Sequence, residues 1–182
     1  MRMVEGKVNE FFGRAVPYME WSGLIYGEFY ERFHPDAFKK CLDKSPDIYA
    51  CVGHDSSKLL GRTGANTLKL DNRADGLYTT CMNNGTTHAM DLACQLNSGD
   101  IQGMSFTFRY AETGPPERHL DKYAITVMEA ELYEVCFTFS PAYPTTDAGM
   151  REMRDFFAVD TSSMAAKYRL RQLALANIQK IA

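Results

Sequence analysis

Three residues far apart in the chain have the types and settings that acyl transfer needs. Ser105 lies in GMSFTFR, residues 103–109, just after a glycine and between large apolar neighbours. Side chains alternate across a strand, so Met104, Phe106 and Phe108 point one way and Ser105, Thr107 and Arg109 the other. Alone, this is the pattern of an ordinary half-buried strand with a wet face. The sharper reading is a nucleophile held on rigid backbone. His54 follows the mostly apolar run DIYACVG (47–53), with Ile48, Ala50 and Val52 on its own face. An imidazole at an exposed strand end can meet a substrate and still be oriented. In LYEVCFTF (132–139) alternation sets Glu134, Cys136 and Thr138 on one face and Val135, Phe137 and Phe139 on the other. If the two strands pair, Ser105 and Glu134 look into one groove; otherwise Glu134 is a solvated strand charge. A serine hydroxyl is a poor nucleophile near neutral pH and needs a base to take its proton. A histidine can do so and then protonate the leaving amine.

Other reactive residues fit less well. His34 precedes a proline and reads as a loop residue, His88 opens a helix, and His119 sits in a polar loop. His88 and Asp91 are i, i+3 neighbours with no third ligand in view, so no metal site is expected. Cys136 lies mid-strand with no local base and reads as a small core or groove residue. The strand-turn-helix hydrolase motif G-x-S-x-G fails, because 103–107 lacks the second glycine and a strand continues where the helix should begin. No phosphate loop is present, and no nucleotide or other cofactor is expected.

The chain of 182 residues, 45% hydrophobic, can bury a core as one domain and leaves room for an appendage. A net charge of −3 without a basic block gives a nucleic-acid partner no electrostatic support. Five scattered cysteines without a CxxC pair point to reduced thiols in a cytosol-like compartment. The N-terminus lacks a signal-peptide core, and no apolar run is long enough for a bilayer, so no membrane association is expected.

Strands are expected at 11–17, 23–30, 47–53, 61–71, 76–82 and 103–109, with a β-rich stretch of one or two strands at 123–139. A short helix is expected at 35–44, a turn at 55–61 and a loop at 113–117. Thr86 or Thr87 can cap a helix from 88 to 96 whose stripe is Ala89, Leu92, Ala93 and Leu96. After residue 146 two amphipathic helices are expected. This predicts an α+β fold with a core of about six or seven strands in 1–146 and a helical extension in 147–182.

Four segments in fixed order, FFGRAVPY…GEFYERFHPDAF, GHDSSKLLGRT, GMSFTFR and ELYEVCFTFSPAYPTT, resemble the prohead serine proteases of tailed phages. That family's fold resembles herpesvirus assemblin, which implies a mostly antiparallel β-barrel core. The family's H-N/D…L-G-R motif falls on His54, Asp55, Leu60, Gly61 and Arg62. Its G-x-S-F/I-G-F/Y motif falls on Gly103, Ser105, Phe106 and Phe108, with Thr107 at a position that is often small. Its L-x-E-V-S…P-A-x-P motif falls on Leu132, Glu134, Val135, Cys136, Pro141, Ala142 and Pro144, with Cys136 where serine is commonest. The resemblance implies Ser105 as nucleophile, His54 as base and acid, and an acidic third member, best Glu134, with Glu129 and Glu131 as fallbacks. By analogy, backbone N–H groups at Ser140 or Ala142 would hold the oxyanion. It implies cleavage of a scaffolding protein or major capsid protein precursor, and of the enzyme itself, inside the assembling prohead in the host cytoplasm. Three roles stand open for the C-terminal helices: packing on the core, docking to scaffold or capsid protein, and self-association into a homodimer, the last by analogy with related assemblins. The alternatives are an inactive assembly factor that keeps the fold, and an unrelated acyl hydrolase. With His54 as base, activity should rise near its ordinary pKa of about 6.5, shifted by its neighbours.

Overall fold

The computed structural model describes residues 10–139, 141 and 143. The expected C-terminal helices, like Ser140 and Ala142, lie outside the described residues.

The β-rich stretch near residue 130 forms one 17-residue strand, β9 (Lys122–Thr138), rather than two. It is the spine of a six-stranded sheet. Along one edge it pairs in parallel with β2 (Phe29–Phe33) and then with β3 (Tyr49–Val52). Along the other it pairs antiparallel with β8 (Glu117–His119) and then with β7 (Gly103–Thr113). The outer strand β4 (Asp55–Arg62) pairs antiparallel with β3. A second, three-stranded antiparallel sheet has the order β1 (Glu10–Pro17), β6 (Gly76–Met82), β5 (Leu68–Arg73). Phe11 of β1 meets Phe137 of β9 edge-on with ring centroids 6.1 Å apart, so the two sheets share a core.

Several expectations change. The described strands form two open sheets and no closed barrel. Their pairing is mostly antiparallel, as expected, but β9 also takes two parallel partners, β2 and β3. Alternation reports which face a residue occupies and carries no information on strand direction or closure. The polar run 55–61 is a strand and not a turn. It is an edge strand with mostly exposed side chains, where lysine and serine suit the open side. The strand expected at 23–30 begins only at Phe29, because Tyr26 and Gly27 both adopt positive φ (53° and 72°) and fold 25–29 into a turn.

Of the two described helices, the one expected at 35–44 is shorter than predicted and the one expected at 88–96 forms nearly as predicted. The short helix α1 (Lys39–Asp43) follows the Pro-Asp turn. In α2 (Thr87–Ser98) Thr86 Oγ1 accepts from the Ala89 N–H at 3.3 Å, and Gly99 closes the helix in the left-handed region at φ 82°.

The apolar face of β7 packs as the alternation predicts. Phe33 is fully buried against Phe106 and Phe108, at centroid distances of 5.3 and 4.8 Å, and stacks on Phe38 at 5.4 Å. The register between β7 and β9 slips where Thr107 faces Glu134 and Phe108 faces Leu132, leaving Tyr133 as a bulge. Strict alternation would put Leu132 beside Glu134. The bulge sends it opposite Phe108, in the core, and keeps the polar face for Glu134 and Cys136.

Candidate active site

That polar face is built from rows of cross-strand neighbours. Thr107, Glu134 and Tyr49 face one another across β7, β9 and β3. One step along, Ser105, Cys136 and Cys51 form the second row. Opposed Cβ atoms in such rows lie about 4.5–5.5 Å apart, close enough for short polar side chains to interact.

His54 covers these rows from the hairpin joining β3 to β4. Gly53 and His54 both have positive φ, 63° and 58°, the backbone of a two-residue type I′ turn. Glycine adopts this freely, and histidine tolerates it at a cost of roughly 1 kcal/mol. The Gly53 N–H donates to the Phe137 carbonyl at 3.0 Å and ties the turn to β9. His54 is therefore the turn itself, not the end of the preceding strand, and its side chain is only 3% exposed.

His54 Nδ1 is paired with Glu134 Oε1, and Thr107 Oγ1 lies 3.5 Å from the same nitrogen. Burial would raise the Glu134 pKa, but hydrogen bonds with His54, Tyr49 and Thr107 hold it below the ordinary carboxylate value. Burial would lower the His54 pKa, but hydrogen bonds and charge interactions with Cys136 and Glu134 prevail and push it up to about 10. The Cys136 thiol hydrogen-bonds with Cys51 and His54, which against burial brings it down to about 6. The carboxylate and the thiol thus favour the protonated imidazole, and the imidazole in turn favours the ionised thiol. His54, Glu134 and Cys136 place their ligand-type atoms within 4.8 Å of one another.

Ser105 is completely buried, one cross-strand step from Cys136, and its Oγ has no hydrogen-bond partner among the described residues. The fold therefore pairs His54 with Glu134, and it sets Ser105 on the same polar face without a bond to His54. The fallback acids are engaged elsewhere. Glu129 pairs with Lys40, and Glu131 with Arg109 at 2.6 Å. Gly103 is required by close approach, since a Cβ there would sit 2.7 Å from Pro141. Residue 141 thus rests on the start of β7, two residues from Ser105.

The profile of the caudovirus prohead serine protease family matches residues 1–158. The chain belongs to that family. No curated protein and no solved structure matches it. Membership makes it a serine peptidase by descent and points to proteolysis in capsid maturation. It also gives the unpartnered Ser105 hydroxyl a reason to lie beside a histidine–carboxylate pair. No helix among the described residues is long and apolar enough to cross a membrane.

Sequence reasoning overlooked Cys136. It has a base after all, because the β3–β4 turn brings His54 to a thiol with none nearby in sequence. Its shared face with Glu134 was the available signal. The other histidines take structural places. His34 Nδ1 accepts from the Asp36 N–H at 3.1 Å, and His119 stacks on Trp21 at 4.9 Å.

Proposed function

We propose that this protein is a serine endopeptidase in which Ser105 attacks the peptide carbonyl, His54 carries the proton and Glu134 orients and stabilises the imidazolium. The buried His54–Glu134 pair, on the sheet face that also carries Ser105, is the observation that supports this reading most. The remaining contact is from Ser105 Oγ to the His54 ring. It forms when substrate enters and the imidazole moves off the Cys136 thiol, as catalytic hydrogen bonds tighten in the substrate complex. His54 then gives the proton to the leaving amine, and water repeats the cycle on the acyl-enzyme. Backbone N–H groups of Ser140 or Ala142 would hold the oxyanion, and the contact of Pro141 with Gly103 favours that segment. Losing one such donor costs about 2.7–4 kcal/mol of transition-state stabilisation.

The substrates are the scaffolding protein or the scaffold-like part of the major capsid protein precursor, and the enzyme itself, inside the prohead in the host cytoplasm. A fluorophosphonate probe should label Ser105, and Ser105→Ala should abolish both labelling and cleavage of co-expressed scaffold. Cleavage that persists in Ser105→Ala rejects the serine mechanism. A wild-type protein that neither labels nor cleaves, yet still supports prohead assembly, is a non-enzymatic assembly factor.

A further inference from the structure

We propose that His54, Glu134 and Cys136 form a three-ligand binding site for a borderline-soft divalent cation, Zn²⁺, and that its occupation holds the enzyme inactive. No metal is expected from the sequence pattern, because the three ligands come from a turn and from alternate positions of one strand. In space their ligand-type atoms lie within 4.8 Å of one another. Tetrahedral zinc, with bonds of about 2.0–2.3 Å, needs its ligand atoms roughly 3.3–3.7 Å apart, so the direct His54–Glu134 contact has to open and the widest separation has to close, each by about an ångström.

The donor set selects the metal. A thiolate, an imidazole and one carboxylate suit zinc, whereas magnesium and calcium require oxygen ligands. Three protein ligands with a fourth position left for water is the pattern of an open zinc site. The charge also closes. Two anionic ligands neutralise a dication, which lowers the cost of placing it in a site where the His54 and Glu134 side chains are each 3% exposed. Supporting contacts are in place, since Tyr49 and Thr107 hydrogen-bond with Glu134, and Cys51 with Cys136. A bound metal takes the thiolate and the neutral imidazole, so binding releases to solvent whatever protons these groups carry. The thiolate and the freed imidazole lone pair then go to the metal. That lone pair is also what a general base needs, so the inhibitory half of the proposal rests on the protease reading, while the binding half does not.

Cobalt makes the site visible. Full-length protein dialysed against a chelator and given one equivalent of Co²⁺ should show a sulfur-to-cobalt charge-transfer band and the visible bands of a four-coordinate ion. One equivalent of Zn²⁺ should remove both. Cys136→Ser should lose the charge-transfer band with unchanged far-ultraviolet circular dichroism, and Cys94→Ser, at an exposed cysteine, should keep it. If Cys136→Ser fails to fold, Glu134→Gln serves instead and should lose the four-coordinate bands. No charge-transfer band in the wild type, or one that survives in folded Cys136→Ser, overturns the site. Zn²⁺ should also suppress scaffold cleavage in proportion to occupancy, and a chelator should restore it. Undiminished cleavage at full occupancy overturns the inhibitory role. A cobalt spectrum from a protein that never cleaves would reject the protease reading and leave the metal site standing.

Discussion

Two glutamates sit on this framework with the same 3% exposure. Burial alone would raise both pKa values, yet their net shifts are opposite. Glu134, on β9, faces His54, and its pKa is held below the ordinary value. Glu31, on β2, lies beside Ile125 of β9 and has a hydroxyl partner, Tyr110, but no ion-pair partner among the described residues. Burial pushes its pKa up to about 7, against a smaller lowering by the Tyr110 hydrogen bond. Charge on a buried carboxyl is decided by whether the fold supplies a counter-ion, because desolvation alone favours the neutral acid. At Glu134 the counter-ion is a residue that a tight turn carries over the sheet. At Glu31 neutralisation by a proton is the cheaper solution.

Glu134→Gln breaks the contrast most severely. It leaves His54 without its anion and with the wrong hydrogen-bond partner, so scaffold cleavage should fall by about 10³–10⁴-fold in single-turnover assays. Loss below tenfold would remove Glu134 from the triad.

Cys136→Ser sharpens the contrast. Below its pKa His54 keeps its proton and cannot accept one from Ser105, so the rate should rise with pH. The midpoint should lie above the ordinary histidine value of about 6.5, because its neighbours push the His54 pKa up to about 10. With the thiol replaced by a hydroxyl, which is not ionised in this range, the midpoint should fall. An unmoved pH–rate profile would mean that Cys136 does not raise the His54 pKa.

Glu31→Gln gives the smallest effect, and on stability alone. Between about 4.5, its ordinary value, and about 7, the folded protein keeps a proton that the unfolded chain has lost. Wild-type stability should therefore decline as pH rises through that window, by at most about 3 kcal/mol. Denaturant titrations of Glu31→Gln should show a flatter dependence, and an equally steep decline would show that Glu31 is not the titrating group.

The site was readable to different depths. Ser105 and Glu134 could be assigned to polar faces because a strand's period is two, and Gly103 stood out beside the serine. That both faces of β7 and β9 are buried near Ser105 was not readable, since alternation separates faces without saying what covers them. His54 was read as a strand end because its apolar run stops there. The left-handed turn that actually holds it depends on Gly53, on β4 returning as an edge strand and on a hydrogen bond to β9. Cys136 looked inert because its base is 82 positions away in the chain.

By itself the sequence determined the family, the alternation of β7 and β9, the capped helix α2 and the three residues proposed to carry catalysis. These are local matters of side-chain type, period and spacing. Only the tertiary structure decided that β9 pairs in parallel with β2 and β3, that the described sheets stay open, and that a histidine, a carboxylate and a thiol meet under a turn. Such meetings depend on which strands become neighbours and in what register, and that is settled by packing between segments far apart in the chain.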